Sequence, residues 1–153
     1  MLRTLLFFFL CIQAVIVNAQ ISADTAAYQS MKYMANSNTE GILRDLERGG
    51  LDAILTKCGN EVDYYDRGLI SKASVRAAIA RYFQRWSNRR YSNITVSLQE
   101  SDFGRGTYNV QADFDWTVSN ASDTKSGRSR LRLVWKGFTN ANLSILGWKE
   151  QRL

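Results

Sequence analysis

The sequence predicts an α+β fold in which N-terminal helices pack on one face of a curled antiparallel β-sheet. Helical patterns fill the chain up to Trp86, apart from one short hairpin between Val62 and Ile70, and strand patterns fill the rest. The connecting turns are short, and the chain has no proline and no internal repeat. Helices followed by a β-meander are typical of a domain with helices on one sheet face.

The N-terminus has the layout of a secretory signal peptide. Arg3 precedes a mostly apolar run, Leu5–Val17, which is shorter than the ~20 residues of a membrane-spanning helix. Small residues stand at the two positions that signal peptidase reads, so we expect cleavage after Ala19. The prediction is a signal peptide at 1–19 and one domain at 20–153, secreted or periplasmic, with no stable membrane anchor after cleavage. An uncleaved membrane anchor is the alternative.

Composition excludes several kinds of site. The chain has no histidine, which excludes Ser-His-Asp and Cys-His catalytic systems and removes the commonest zinc ligand. Its net charge is +6 without a run of Lys and Arg, so we expect no nucleic-acid partner. Cys58 is the only cysteine after the predicted signal and is interpreted as buried, with intermolecular pairing as the alternative. We expect neither a metal nor a cofactor.

Short helices are predicted in the first part of the domain. A helical stretch from Asp24 to about Ala35 is expected to end at the polar cluster Asn36–Thr39, whose last residues can cap the next helix. That helix is expected to end at Gly49-Gly50. A further helical pattern, Leu51–Cys58, then ends at another glycine, giving two short helices or one bent one.

A short hairpin and a longer helix come next. Val62–Tyr65 alternates as a strand, Asp66–Gly68 has turn chemistry, and Leu69-Ile70 resumes as a strand. Ser71 is a suitable N-cap. The helix that it begins carries apolar residues on one face: Val75, Ile79, Tyr82 or Phe83, and Trp86.

Four longer strands are predicted over the remainder: Arg90–Gln99, Thr107–Ser119, Arg128–Phe138 and Asn142–Gln151. The second and third alternate between an apolar and a polar face. A hairpin about Asn120–Gly127 that sets Asp115 opposite Arg130 and Asp113 opposite Arg132 matches both patterns. It places both carboxylates on the outer face, paired with arginines.

The order of elements resembles the NTF2-like superfamily, which includes SnoaL-type cyclases and ketosteroid isomerases. Three segments are similar to a small bacterial exported subgroup: Val62–Lys72, Tyr82–Trp86 and Arg89–Tyr91. The resemblance implies a cone whose site lies between the long helix and the concave sheet. It also implies a homodimer formed through the outer sheet face.

Within that resemblance, catalysis would require an inward carboxylate and a tyrosine hydroxyl. Asp63 and Tyr65 share one face of the first strand, and Val62 and Tyr64 share the other. The sequence leaves open which pair faces the cavity. If Asp63 faces inward, it is the candidate base, with Tyr64 or Tyr65 as partner. The apolar faces of the long strands offer no second carboxylate.

The aromatic residues have two interpretations. They could line a pocket for a flat apolar ligand, or they could simply fill the core. The candidate ligand-binding residues are Tyr64, Tyr82, Trp86, Phe114, Trp116, Leu133 and Trp135. The first hypothesis is a non-catalytic exported domain that binds a small apolar molecule or a protein partner. The alternative is a lyase, isomerase or hydrolase that uses Asp63 and a tyrosine.

Overall fold

The structure, a computed structural model, describes the chain over residues 2–102 and 104–153, with side chains from residue 25 onward. The predicted cleavage site after Ala19 lies outside the residues with described side chains. The chain divides into two compact units, Met1–Tyr33 and Met34–Leu153. The first unit is helical, and the sheet belongs to the second. Where side chains are described, no helix is both long and apolar enough to cross a membrane.

The chain is an α+β protein, as predicted. Its helices are α1 (Leu2–Arg48), α2 (Leu51–Thr56) and α3 (Lys72–Arg85). Its strands are β1 (Cys58–Tyr64), β2 (Leu69–Ser71), β3 (Asn88–Asp102), β4 (Thr107–Ser119), β5 (Thr124–Lys136) and β6 (Ser144–Arg152). A single 3₁₀ turn, Tyr65–Arg67, joins β1 to β2.

The strands form one sheet in the order β2-β1-β6-β5-β4-β3. All neighbouring pairs are antiparallel except β1 and β6, which run parallel. The sheet is therefore mixed rather than wholly antiparallel. The parallel pair arises because β6, the last strand of the meander, lies beside β1 and runs in the same direction. Helix α3 and strands β2 to β5 separate the two strands in the chain.

Helix α1 runs through the polar cluster that was expected to end it. Asn38 Nδ2 donates to the Met34 carbonyl at 2.9 Å, and Thr39 Oγ1 donates to the Ala35 carbonyl at 2.9 Å. Side chains that bond to the carbonyl four residues earlier are compatible with a continuous helix. The predicted break at Asn36–Thr39 is wrong, because Asn38 and Thr39 bond to carbonyls of the same helix and Thr39 also accepts a hydrogen bond from the Trp135 indole in the core.

The glycine stop at the end of α1 is confirmed, with Gly49 at a φ of 77°. Helix α2 is shorter than predicted, because Cys58 begins β1 instead of ending the helix. Cys58 is buried as predicted. Burial raises the pKa of its thiol to about 11, with a small opposing effect from Lys72.

Helix α3 begins as the sequence predicts. Ser71 Oγ accepts a hydrogen bond from the Ser74 amide at 3.3 Å, which satisfies one free donor of the first turn. Val75 and Ile79 are buried on its inner face, and Trp86 follows its last residue. The helix therefore places the Trp86 ring at the edge of the inner sheet face.

The β4–β5 hairpin keeps the predicted faces but has a different register. Asp113 lies opposite Arg130 and Asp115 opposite Arg128, two residues from the predicted pairing. Both carboxylates are on the outer face, as expected. A shift by two residues preserves the side-chain faces, whereas a shift by one would exchange them.

The register follows from a shorter turn than the sequence suggested. Ser119 pairs with Thr124, so the loop is Asn120–Asp123. The side-chain oxygen of Asn120 accepts hydrogen bonds from the amides of Ser122 and Asp123, both at 2.9 Å. This Asx-type turn closes the hairpin early.

The core lies between the helices and the inner sheet face. Its largest fully buried side chains on β4 and β5 are Tyr108, Phe114, Leu131, Leu133 and Trp135. From α1, Ile42 and Leu43 complete it. The core occupies one end of the inner face and leaves the other end open.

Candidate functional site

A cavity of about 320 Å³ lies between α3 and the inner face of the sheet. Most of its walls are aromatic: Tyr64, Tyr65, Tyr82, Trp86, Tyr91, Trp116 and Trp148. Leu46, Ile79 and Val118 add aliphatic surface, and Lys125, Glu150 and Arg152 add charge. Ligand pockets have this size and this mainly apolar lining. We call this cavity the aromatic pocket.

The Trp116 ring forms one flat wall, and three neighbours hold it in place. It lies over Gly127, where a Cβ would stand 2.8 Å from Trp116 Cζ2. Its indole N–H donates to Ser129 Oγ at 2.9 Å. The Arg152 guanidinium lies 5.4 Å from the ring centroid, a cation–π distance.

The Trp86 ring forms a second wall at the end of α3. The Arg85 guanidinium is 5.2 Å from its centroid, and Lys125 Nζ is 5.7 Å from it. Arg89 fixes the backbone here, since its Nε donates to the Leu46 carbonyl at 2.8 Å and its guanidinium also contacts the Trp86 carbonyl. The charge of Arg89 is therefore directed at backbone oxygens.

Tyr65 reaches the pocket through an unusual backbone conformation. Its φ is 52°, a left-handed value that is uncommon for a residue with a large side chain. Because β1 ends at Tyr64, strict alternation no longer applies, and both rings line the pocket with centroids 4.6 Å apart. The Tyr65 hydroxyl donates to Glu150 Oε2 at 3.0 Å.

The tyrosine hydroxyls of the pocket stay protonated at neutral pH. Burial raises the pKa of Tyr64 to about 12, with a further contribution from the Glu150 charge. Burial and then Glu150 also raise the pKa of Tyr65. Across the pocket, the hydroxyls of Tyr82 and Tyr91 lie 2.8 Å apart, and burial raises the pKa of both. These groups act as neutral hydrogen-bonding groups.

The indole N–H of Trp148 is a further polar group of the pocket wall. It is buried and makes no hydrogen bond of ordinary geometry within the described part of the chain. It lies near the Tyr65 hydroxyl and slightly opposes the rise in that group's pKa. The Tyr65–Glu150 pair thus stands beside an additional donor.

Asp63 lies away from the aromatic pocket. Val62 and Tyr64 are the inward pair of β1, with 0% and 9% exposure. The Asp63 side chain is 42% exposed, and its Oδ2 is 2.9 Å from Lys149 Nζ. The carboxylate considered as a base is therefore on the outer side of the sheet and is paired with a lysine.

The candidate ligand-binding residues divide into two groups. Tyr64, Tyr82, Trp86 and Trp116 line the aromatic pocket. Phe114, Leu133 and Trp135 are buried in the core instead. Phe114 supports the pocket indirectly, because its ring packs edge-on against Tyr91 with centroids 5.4 Å apart.

Sequence reasoning missed the charged residues of the pocket, above all Glu150 and Arg152. Trp135 pairs with Ile145 and Val134 with Gly147, so Leu146 is an extra residue that reverses the alternation of β6. From Trp148 onward, every second residue faces the pocket. Alternation counted from Trp148 gives Glu150 and Arg152 as inward residues. The bulge at Leu146, however, has no recognisable signal in the sequence.

A second depression of about 370 Å³ lies on the outer sheet face. Its acidic groups have partners, because Asp63 is paired with Lys149 and Glu100 accepts a hydrogen bond from Asn109 Nδ2 at 3.0 Å. Among the described residues, no group of three or more His, Cys, Asp or Glu side chains could hold a metal ion.

Comparison with solved structures agrees with this architecture. An NTF2-like superfamily protein from Salmonella enterica matches with a TM-score of 0.68 at 10% identity, over 82% of this chain and 92% of that one. This chain has the NTF2-like fold. ActVI-ORFA from Streptomyces coelicolor matches with a TM-score of 0.60 at 9% identity, over 76% of this chain and 92% of that one.

The NTF2-like fold also appears in a subunit of a larger enzyme. The β subunit of benzoate 1,2-dioxygenase from Burkholderia mallei matches with a TM-score of 0.54 at 16% identity, over 75% of this chain and 85% of that one. No protein-family model matches the chain, and no curated protein matches its sequence. The expected fold is confirmed, and at these identities the likeness concerns fold alone.

Proposed function

We propose that this NTF2-like chain is an exported, non-catalytic domain that binds a small, flat, largely apolar molecule in its aromatic pocket. The observation that carries the proposal is the open cavity of about 320 Å³ walled by Trp86, Trp116 and tyrosine rings. These rings line the space rather than fill it. Two flat walls suit an aromatic ligand.

The position of the carboxylates supports binding over acid–base catalysis. Asp63 is paired with Lys149 outside the pocket. Glu150 is the only carboxylate among the residues that line the pocket, and it accepts the Tyr65 hydroxyl hydrogen. An isomerase-like site needs both a base and a hydroxyl free to face substrate, whereas here the two groups face each other.

The binding test uses 2-naphthamide, a flat neutral probe, and the fluorescence of the pocket tryptophans. We expect saturable quenching with the full chain. Val118→Trp adds bulk to the pocket wall and Trp86→Ala removes a wall, so both should abolish or strongly weaken binding. Tyr33→Ala is the control, because Tyr33 is 76% exposed in α1. Folding of each variant is checked by circular dichroism, and no saturable binding to the unaltered chain would refute the proposal.

A second candidate function is an isomerase or lyase in which Glu150 serves as base. The observation that favours it is that this carboxylate stands inside the pocket beside Tyr65 and Tyr64. A general base would exchange the α-protons of a flat ketone such as 2-tetralone in D₂O. Non-catalytic binding predicts no exchange above buffer. Exchange that Glu150→Gln abolishes and Asp63→Asn leaves intact would establish the enzyme instead.

The proposed export rests on the N-terminal sequence. Expression of the full chain with its own N-terminus, followed by mass spectrometry of the exported protein, should give a mature chain that begins at Gln20. Retention of the whole chain in the membrane fraction would contradict export as proposed.

A further inference from the structure

We infer that the ligand of the aromatic pocket is an aromatic anion, whose negative group lies at the pocket mouth between Lys125 and Arg152. The anionic group is a carboxylate, a sulfonate or a phosphate, and the ring lies against Trp116 and Trp86. This inference rests on the proposed binding function and names the class of ligand that it serves.

Each of the two cations lies over one of the two tryptophan walls. On the inner face of β5, Lys125, Gly127 and Ser129 follow one another at every second residue, and the Trp116 ring covers Gly127. Arg152 lies opposite Ser129 on β6. Arg152 therefore lies over the Trp116 ring and Lys125 over the Trp86 ring, and both cations line the cavity.

Both cationic groups are able to bind an anion. Arg152 stacks on Trp116 and forms no ion pair among the described residues. A guanidinium over an aromatic face keeps its N–H donors in its own plane, pointing away from its centre, where they can bind an anionic oxygen. Lys125 Nζ has one acidic neighbour, Asp123 Oδ2 at 3.5 Å, and both side chains of that pair are 47% exposed. Such exposed pairs are weak, so a ligand anion can replace the contact.

Arginines on the outer face of the sheet provide a contrast. Asp113 accepts two hydrogen bonds from Arg130, both at 2.8 Å, and Asp115 lies 4.0 Å from Arg128. These outer charges neutralise one another across the β4–β5 ladder. The aspartates of β4 face outward and leave no matching partner for Arg152 on the inner face.

The negative charge of Glu150 determines which way round a charged ligand lies in the pocket. Glu150 is two residues from Arg152 on the same face of β6, and it is bound to Tyr65. Residues two apart on a strand are separated by ~6.5–7 Å. A negative group beside Glu150 would meet a like charge, whereas one between Lys125 and Arg152 meets two cations. The arrangement favours a ligand with its anionic group at one end and a neutral ring at the other.

The test compares three probes that share one ring system: 2-naphthoate, 2-naphthamide and 2-naphthylmethylammonium. In low-salt buffer, we expect the full chain to bind the carboxylate roughly tenfold more tightly than the amide. The ammonium probe should bind most weakly. The preference for the carboxylate should fall as salt is added, because the cations at the mouth are solvent-exposed.

Two double variants separate a local site from general attraction to a basic protein. Lys125→Gln with Arg152→Gln should bring the ratio of naphthoate to naphthamide affinity close to one. The ratio is the readout, because loss of the Arg152 contact with the Trp116 ring affects both probes alike. Arg132→Gln with Lys136→Gln removes the same charge from exposed positions on β5 and should keep the preference. Arg152→Lys retains the charge and should also keep it.

The outcomes distinguish the two proposals. If naphthamide binds and naphthoate binds no tighter, the anion inference is wrong and the binding function stands. If the outer double variant abolishes the preference as fully as the pocket variant does, the inference is also wrong, because net charge alone explains the effect. If none of the probes binds to the folded chain, the binding function is refuted together with the anion inference.

Discussion

Trp116 and Gly127 face each other across the β4–β5 ladder, and the indole occupies the space that a side chain at position 127 would need. A Cβ there would stand 2.8 Å from Trp116 Cζ2 and 3.2 Å from Cε2. Both atoms belong to a ring held by Ser129 and Arg152. The absence of a side chain at Gly127 therefore sets the orientation of one wall of the aromatic pocket.

Gly127→Ala should displace the Trp116 ring and lower the free energy of unfolding by about 1–3 kcal/mol, the usual cost of overpacking. Naphthamide affinity should fall with it, because the flat wall is lost. Urea unfolding and near-ultraviolet circular dichroism measure the two effects. An unchanged tryptophan spectrum together with unchanged stability would show that the ring is free to move.

Gly41→Ala is the matched control for this substitution. Gly41 lies inside α1, and a Cβ there would meet nothing within 4 Å. Alanine in a helix interior is more favourable than glycine by about 0.5–1 kcal/mol. The same chemical change should therefore stabilise the protein at position 41 and destabilise it at position 127.

Much of the fold could be predicted because its signals are local and periodic. The alternation in β4 places Tyr108 and Phe114 inward and Asp113 outward, and all three are found there. The register of β4 against β5 was harder to predict from the sequence. Two registers that differ by two residues place the same side chains on each face of the sheet, so alternation does not distinguish them. The turn made by Asn120 decided it. The polar cluster in α1 was misleading for a related reason: Thr39 has a hydrogen-bond partner in the core that sequence spacing does not show.

The site was less predictable than the fold. Strand alternation lets either Tyr64 or Tyr65 face the cavity but not both. Both line the pocket, because the backbone of Tyr65 turns at a φ of 52°. Glu150 and Arg152 face inward because Leu146 is an extra residue in β6. Both depend on single irregularities in strand geometry, which period-two reasoning assumes to be absent.

Thr39 and Trp135 form a buried hydrogen bond that links α1 to the sheet, with the indole N–H donating to Thr39 Oγ1 at 2.9 Å. Thr39→Val keeps the shape and removes the acceptor, leaving the buried indole N–H without a partner. We expect a loss of about 1–3 kcal/mol in the free energy of unfolding, measured by urea denaturation.

A double-mutant cycle with Trp135→Phe separates the energy of the Thr39–Trp135 hydrogen bond from the cost of the cavity that the smaller phenylalanine ring leaves. The Thr39→Val substitution should cost less in the Trp135→Phe background, by roughly 1 kcal/mol, because the N–H has already been removed. Equal costs in the two backgrounds would mean that Thr39 stabilises the fold through its contact with the Ala35 carbonyl or through packing alone.

The pair formed by Asp113 and Arg130 should make stability depend on acid pH. Hydrogen bonds from Arg130, and then its positive charge and that of Arg128, hold the pKa of Asp113 below its ordinary value, while burial opposes them. Because the pKa is lower in the folded than in the unfolded state, this stabilisation is present above pH ~4 and is lost as pH falls through the folded-state pKa.

Asp113→Asn should therefore lower the urea midpoint at pH 7 by a small amount, and the difference from the unaltered chain should shrink below pH ~4. Asp115→Asn is the comparison, because its guanidinium contact is longer, at 4.0 Å, and should matter less. A difference for Asp113→Asn that is the same at pH 7 and pH 3 would show that charge is not its cause.

The buried tyrosines should govern the alkaline limit of stability. Burial raises the pKa of Tyr64 to about 12 and also raises those of Tyr65, Tyr82 and Tyr91. The folded-state pKa values exceed the unfolded value of ~10, so the folded state binds more protons at high pH. Stability is therefore unaffected below pH ~10 and declines as pH rises above it.

Absorbance at 295 nm follows phenolate formation during this titration. We expect part of the signal of the chain's seven tyrosines to appear only together with loss of far-ultraviolet circular dichroism, because the pocket hydroxyls ionise when the protein unfolds. Tyr65→Phe should reduce that late step, since it removes the hydroxyl bound to Glu150. Complete ionisation of all tyrosines near pH 10 with the fold intact would show that the pocket hydroxyls are open to solvent, and the aromatic pocket would then be far more hydrated than its lining indicates.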